Sequence, residues 1–445
     1  MAFILGIIQY FVDLGAAVML PLVIILVALC LGEKPGKAIK SGISIGVGFI
    51  GIGLVIGLML DNLAPAATAM SERFGIALNV IDVGWPGASP MTWASEIALV
   101  AIPVAIAVNI AMLALRMTKV VNIDIWNIWH YAFTGAFVYL ATDNYMFGII
   151  AVAIHAAFSY KLGDWFAPIV RDYFGLDGIA IPHGTSAYLG PIAVVVNDVI
   201  EKIPGLNKIN FTTEQIQKRF GMLGDPAILG AIIGAAIAIL AGYDLQKILA
   251  LSMQMAAVII LMPQVIKHIM NGLLPVSEKA REVMSKKFKD SDYLIGLDPA
   301  LLLGDSTVVT ASLIFIPLTI VIAVLVPGNQ VLPFGDLATI GFFVAMAVGI
   351  HKGNLFRTII SGFVIMFMTI WISNQTIGLH TKLAESVGEI SSNGAQVASL
   401  DQGGAPITYI LTQIVNPTNV IGLGAIVVIY GFCVIYTMRW SKKNK

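Results

Sequence analysis

Apolar stretches of about 20 residues, separated by short polar segments, recur along this chain. A helix needs about 20 apolar residues to cross a membrane, and about eleven stretches approach that length. They cover 10–31, 38–60, 95–115, 124–142, 145–166, 225–242, 247–273, 307–327, 334–350, 355–375 and 418–438. The pattern predicts an all-α polytopic membrane protein with about 11 transmembrane helices.

Other apolar stretches are too short or too often interrupted by Gly and Pro to form regular spans. They are 82–93, 178–196 and 295–306, with 379–381 as a weaker case. Irregular backbone at membrane depth is tolerated only against protein or a water-filled cavity. We therefore predict re-entrant hairpins or broken helices here, with ordinary interfacial loops as the alternative.

A series of short motifs occurs twice in the same order. The first copy runs through 87–92, 102–103, 122–124, 161–166 and 182–185, and the second through 303–307, 316–317, 335–336, 352–356 and 379–381. Segments 95–105 and 309–319 align best. The order predicts two inverted five-helix repeats, 10–196 and 225–402, followed by a final helix at 418–438. Such repeats are typical of secondary transporters, although chance similarity of apolar helices is the alternative.

Composition supports a membrane protein, since 58% of the residues are hydrophobic and only 12% charged, against about 25% charged in a globular domain. The net charge of zero gives no electrostatic case for nucleic acid. Cys30 and Cys433 both lie in apolar segments and suit neither a disulfide framework nor a metal site. We expect no metal and no cofactor.

No cleavable signal-peptide pattern is present, so the first apolar segment is expected to remain as a span.

Basic residues cluster after the first span, in the loops near 200–222 and 276–293, and at the C-terminus. Positive charge favours the cytoplasmic side, so we predict cytoplasmic basic loops, a cytoplasmic C-terminus and an external N-terminus. The acidic segment 382–403, with Glu385, Glu389 and Asp401, is predicted to be an external loop.

The energy source is restricted by what the sequence lacks. No Gly-x-x-x-x-Gly-Lys-Ser/Thr motif for ATP is present. The chain therefore either follows an ion gradient or receives phosphate through another protein.

Ionisable side chains within apolar segments are costly and are the first candidates for function. His130 and Thr134 are four residues apart on one predicted helix face, with helix packing as the alternative for His130. His183 lies between Pro182, which breaks regular helix, and Gly184, which permits close approach of a ligand.

The second copy of the motifs offers further candidates. His380 is predicted to be the repeat mate of His183, and Asp298 lies in an apolar, Gly-broken segment. Asp305, Asp82 and Asp336 are either site residues or helix caps, since Asp favours that position.

Several long motifs resemble the membrane (IIC) subunits of the ascorbate–galactitol superfamily of the bacterial phosphotransferase system. The resemblance extends from about Asp13 to Gln402, and it describes the whole chain, 1–445, as one membrane domain. The motifs are Asp82-Val83-Gly84-Trp85-Pro86-Gly87, Pro90-Met91-Thr92-Trp93-Ala94, Asn122-Ile123-Asp124-Ile125-Trp126-Asn127, Ile181-Pro182-His183-Gly184-Thr185-Ser186, the 296–304 segment and the 326–337 segment.

This resemblance implies a homodimer in the inner (cytoplasmic) membrane, with core and scaffold domains and an elevator-like movement. It implies a polyol substrate, galactitol or a relative, phosphorylated during uptake from a phosphocysteine on a separate IIB protein, which IIA charges. The implied substrate pocket contains Thr92, Trp93, His130, Thr134, His183, Gly184 and the region from Asp298 to Asp305.

The predicted function is therefore a transporter subunit for coupled uptake and phosphorylation, and an ion-coupled polyol or sugar symporter is the alternative. Phosphoryl transfer depends on positioning and on a group that accepts the hydroxyl proton, and His183 and Asp298 are the candidates for that role. The basic loops suit docking of an acidic IIB face, although positive-inside topology explains the same charges.

Overall fold

The computed structural model describes residues 16–74, 78–211, 225–287, 293–388 and 396–443. Within these ranges the chain is mainly helical. The α-helices are α1 (Ala16–Cys30), α2 (Pro35–Phe74), α3 (Gly84–Trp93), α4 (Ala98–Ala114), α5 (Trp129–Thr142), α6 (Tyr145–Asp172), α7 (Gly184–Lys202), α8 (Pro226–Leu240), α9 (Leu245–Lys287), α10 (Ser306–Leu325), α11 (Gly341–Ile350), α12 (Leu355–Ser386), α13 (Pro406–Val415) and α14 (Val420–Lys443). Short 3₁₀ helices cover Trp126–Ile128, Leu206–Lys208, Pro299–Gly304 and Gly335–Thr339.

Each of the predicted spans coincides with a helix, but the helices differ in length. Among the described residues, six are long and apolar enough to cross a membrane, and a bent pair makes up to seven. Helices α4, α5, α8 and α11 have only 10–17 residues, less than the roughly 20 that a span needs. The chain is a multi-pass helical membrane protein, and the predicted number of eleven spans is not confirmed.

The interrupted segments adopt irregular structure in three of the four predicted places. Helices α3 and α4 meet at a bend of 96°, segment 178–196 contains a strand before α7, and segment 295–306 contains a strand end and a 3₁₀ helix. The prediction for 379–381 is wrong, because these residues lie inside the continuous helix α12.

Two small parallel sheets lie among the helices. The strands are β1 (Val80–Asp82), β2 (Val120–Asn122), β3 (Ile179–Ala180), β4 (Leu294–Gly296), β5 (Val331–Leu332) and β6 (Val397–Ala398). One sheet has the order β5-β1-β6 and the other β2-β4-β3. Each central strand thus comes from one half of the chain and its two neighbours from the other half.

Helices α1, α2, α8 and α9 pack mainly on one another, and the remaining helices form a second group. Small residues bring α2 and α9 together: a Cβ at Gly48 would lie 2.3 Å from the Ile269 side chain, and one at Gly272 would lie 2.6 Å from that of Ile45. The glycines at these positions therefore serve helix packing. The contacts also show that α2 and α9 are antiparallel, so the start of α2 and the end of α9 lie on the same side.

Candidate functional site

A cavity of about 280 Å³ lies between the carboxyl ends of the two sheets. The segment that follows each of the six strands contributes at least one residue to its wall. The lining residues are Trp85, Trp126, Asn127, Trp129, His130, Thr185, Lys267, Asp298, Pro299, Ala300, Leu303, Ala338, Thr339, Phe342 and Asp401.

The wall combines aromatic faces with hydrogen-bonding groups. Asp298 and Asp401 supply carboxylates, and Asn127, His130 and Thr185 supply an amide, an imidazole and a hydroxyl. A ligand with many hydroxyl groups needs such donors and acceptors, while its C–H faces pack on aromatic rings. Apolar walls with a few placed polar groups are typical of small-molecule sites.

Asp298 is held in place from two sides. One carboxylate oxygen accepts the Ala300 N–H at 2.7 Å and so caps the 3₁₀ helix Pro299–Gly304. The other accepts the Asn127 amide N–H at 2.9 Å. The same Asn127 nitrogen donates to Asp124 at 2.5 Å, so one amide joins two buried carboxylates.

His183 lies behind this wall rather than in it. Its Nε2 is 2.8 Å from the Asn122 amide oxygen and 3.7 Å from the Asp124 carboxylate, and its Nδ1 is 3.1 Å from the Tyr131 hydroxyl. The side chain is fully buried. The structure thus connects His183 to Asp298 through Asp124 and Asn127, and Asp298 is the one of the two that faces the cavity.

His130 and Gly184 are packed against each other at the edge of the cavity. Gly184 has φ +47°, and a Cβ there would lie 2.4 Å from His130 Nε2. A side chain at position 184 would be both strained and obstructed. His130 Nδ1 is 2.7 Å from the Asn127 carbonyl oxygen, and its Nε2 is 3.9 Å from Asp401.

Three predicted substrate residues lie in packing contacts close to the cavity without lining it. The Thr92 hydroxyl donates to the Ala88 carbonyl oxygen at 2.7 Å. The Trp93 ring lies 6.3 Å from that of Trp126. The Thr134 hydroxyl lies 2.7 Å from Nδ1 of His155.

Asp305 and His380 lie elsewhere. Asp305 accepts two backbone N–H groups of the first turn of α10 at 2.9 and 3.0 Å, so the structure places it as a helix cap. His380 lies within α12 against Phe133 and Phe137, and neither of its ring nitrogens has a hydrogen-bond partner.

The Asp82 and Asp336 carboxylates accept hydrogen bonds from backbone N–H groups. The Asp82 carboxylate accepts the N–H groups of Gly84, Phe334, Asp336 and Leu400 at 2.9–3.1 Å. The Asp336 carboxylate accepts the Trp85 and Asp401 N–H groups at 2.9 Å each. Both side chains therefore join the ends of the strands of one sheet.

Asp401 corrects one prediction. The acidic pattern placed it in an external loop, yet it is buried and accepts hydrogen bonds from the Thr185 hydroxyl and the Gln402 amide. Glu389 lies outside the described residues. A short apolar run precedes Asp401, as one precedes Asp298, and this was the available signal.

Lys267, Trp85 and Asn127 were also missed. His130 was selected because it is an ionisable residue inside an apolar span. The same rule also selects Lys267. From their apolar segments both cysteines are expected to be buried, and this holds for Cys433 but not for Cys30, which is exposed.

Comparisons with known proteins identify the family of this chain. The family model "EIIC-GAT: PTS system sugar-specific permease component" matches residues 10–394. The chain is 61% identical over 434 residues to the "PTS system galactitol-specific EIIC component" of Escherichia coli (strain K12), covering 98% of this chain and 96% of the relative. The protein of that name from Escherichia coli O157:H7 gives the same values. The chain therefore belongs to the EIIC-GAT family, the sugar-specific permease components of the phosphotransferase system.

Proposed function

We propose that this protein binds galactitol or a related polyol in the cavity between the two sheets and carries it across the inner membrane for phosphorylation by IIB. The name of the 61% identical relatives supports the substrate. The observation that carries the proposal is the cavity itself, in which Asp298 and Asp401 face aromatic walls. Trp85 adds a buried indole N–H that has no hydrogen-bond partner among the described residues and is available to a substrate hydroxyl.

Asp298 is the proposed proton acceptor. The polyol hydroxyl oxygen attacks the phosphorus of the IIB phosphocysteine, the S–P bond breaks, and the IIB thiolate leaves. The hydroxyl proton passes to the Asp298 carboxylate, which lines the cavity. His183 supports this group from behind, because its contact with Asp124 fixes one end of the Asp124–Asn127–Asp298 chain.

The two sheets support the inverted duplication of 10–196 and 225–402. Strand β1 lies between β5 and β6, and strand β4 lies between β2 and β3. A two-fold operation that exchanges the halves would interchange these sheets. In that order of strands Asp401, after β6, corresponds to His183, after β3, whereas His380 lies in the preceding helix.

The two groups of helices support a division into scaffold and core. Lys267 of α9 is the lining residue that comes from the first group, and the other lining residues come from the second. A cavity at this boundary suits elevator-like movement of the second group. The homodimer implied by the family remains a prediction.

The proposed orientation places the basic ends in the cytoplasm. The antiparallel packing of α2 and α9 puts Lys34, Lys37 and Lys40 on the same side as the end of α9. At the C-terminal helix, the Tyr436 hydroxyl donates to Asp198 near the basic end of α7. Positive charge at these helix ends favours a cytoplasmic C-terminus and an external N-terminus. The basic residues Lys218, Arg219, Lys289 and Lys445 lie outside the described residues.

Vesicles containing the purified protein test the function. With phosphorylated IIB on the cytoplasmic side, galactitol added to the other side should arrive as galactitol phosphate. Without phosphorylated IIB, no sugar phosphate should form. Accumulation of free galactitol against its gradient would contradict the proposal and would instead indicate the symporter alternative, which the comparisons do not support.

A further inference from the structure

Lys267 is an unusual member of the cavity wall. It lies within α9, inside a segment that is long and apolar enough to cross a membrane. Of the residues described as lining the cavity, it is the one Lys or Arg. No described carboxylate is close enough to form an ion pair with it.

A charged residue inside a membrane span is a first candidate for function, and the Lys267 side chain is exposed rather than buried, so a ligand can reach it. A neutral polyol gives Lys267 no charge to bind. A phosphoryl group, however, brings negative charge into a cavity that already contains Asp298 and Asp401. Two carboxylates disfavour an anion nearby, and a compact cation with three donors can offset that repulsion.

We propose that Lys267 binds the phosphoryl oxygens during transfer and holds the phosphate of the product before release. This inference rests on the proposed function, since it requires phosphorylation in the cavity. Lys267 makes no covalent bond in the step. The S–P bond breaks and the new O–P bond forms as described above, while the Lys267 ammonium donates hydrogen bonds to the non-bridging oxygens of the phosphoryl group.

The position of Lys267 also makes phosphoryl transfer depend on how the two groups of helices are placed relative to each other. The substrate-facing carboxylates belong to one group of helices and Lys267 to the other. The complete set of charged groups therefore exists only when the cavity lies beside α9. Phosphorylation is thereby confined to that arrangement, and free polyol can bind in others.

The test uses purified wild-type protein and three variants: Lys267→Gln, Lys267→Arg and the control Lys247→Gln. Lys247 lies near the start of the same helix and packs over Tyr243, outside the cavity. Affinities for galactitol and for galactitol phosphate are measured separately, together with the rate of phosphorylation by phosphorylated IIB. A charge-assisted hydrogen bond is typically worth enough to change affinity by roughly tenfold or more.

Lys267→Gln should weaken galactitol phosphate binding by roughly tenfold or more, slow phosphorylation, and weaken galactitol binding by a much smaller factor. Lys267→Arg should restore much of the product affinity, and Lys247→Gln should match the wild type. Equal losses of both ligands, or unchanged product affinity, would overturn the assignment. Failure of the wild type to phosphorylate any polyol would count against the proposed function, whereas loss confined to Lys267→Gln concerns Lys267 alone.

Discussion

Aspartates that follow strands of the two sheets lie at similar points but are used differently, even within the sheet centred on β1. In the sheet centred on β1, Asp82 and Asp336 are fully buried, and backbone N–H groups occupy their oxygens. Near the cavity, Asp298 and Asp401 also accept hydrogen bonds but keep a surface toward the empty space. An aspartate after a strand is thus structural when backbone N–H groups use its oxygens, and is available to substrate when a cavity remains beside it.

The largest expected effect is on folding. Asp82→Ala leaves four buried N–H groups without their acceptor, and each such group costs about 1–3 kcal/mol. We expect the variant to be destabilised by more than about 3 kcal/mol, with little protein recovered as a single species. Thermal unfolding and size-exclusion chromatography in detergent measure this. A variant that unfolds like the wild type would remove the structural role of Asp82.

Asp298→Asn should instead fold normally and fail in chemistry. The amide keeps the shape of the side chain but does not accept the hydroxyl proton, and general-base catalysis contributes about 10²–10⁴-fold. We therefore expect phosphorylation to slow by at least about 100-fold with only a small fall in unfolding temperature, because the amide keeps one of the two acceptor oxygens. Asp305→Asn is the matched control, because Asp305 caps α10 outside the cavity. Equal phosphorylation rates for the two variants would contradict the distinction between an aspartate that lines the cavity and one that caps a helix.

His183→Ala should abolish uptake while the protein still inserts into the membrane. The substitution removes the contacts with Asn122, Tyr131 and Asp124 that support the wall from behind. Uptake of labelled galactitol and quantified membrane protein measure the two properties. Normal uptake would leave His183 with a packing role only.

The smallest effect is expected from replacing both cysteines. Cys433 is buried and Cys30 lies at the end of α1, and neither lines the cavity. The thiolate is the reactive form of cysteine, and the phosphoryl donor belongs to IIB. The Cys30→Ala, Cys433→Ala variant should phosphorylate galactitol at the wild-type rate when IIA, IIB and the general phosphotransferase proteins are present. Loss of transfer with retained binding would indicate a covalent step on this chain.

Hydropathy predicted the positions of eleven of the fourteen described α-helices, because apolar length is a local property of the sequence, but α13 lies outside every predicted segment. It did not predict which helices are too short to span, since the predicted spans of α5 and α11 begin with 3₁₀ turns that apolar length alone does not reveal. Asp298 and His130 could be found because a buried ionisable residue is conspicuous in an apolar segment. Asp401 was missed, because the apolar run before it is short and its burial depends on the pairing of β6 with β1, far away in the sequence.

The central claim is that the cavity between the sheets is the polyol site. In the cysteine-free variant, a single cysteine replaces Ala300, which lines the cavity, and a control cysteine replaces exposed Val199 in a second protein. The modification rate by a small thiol reagent is measured with and without galactitol. The account predicts that galactitol slows modification at position 300 and leaves the rate at position 199 unchanged. Equal rates at position 300 with and without bound galactitol would contradict it.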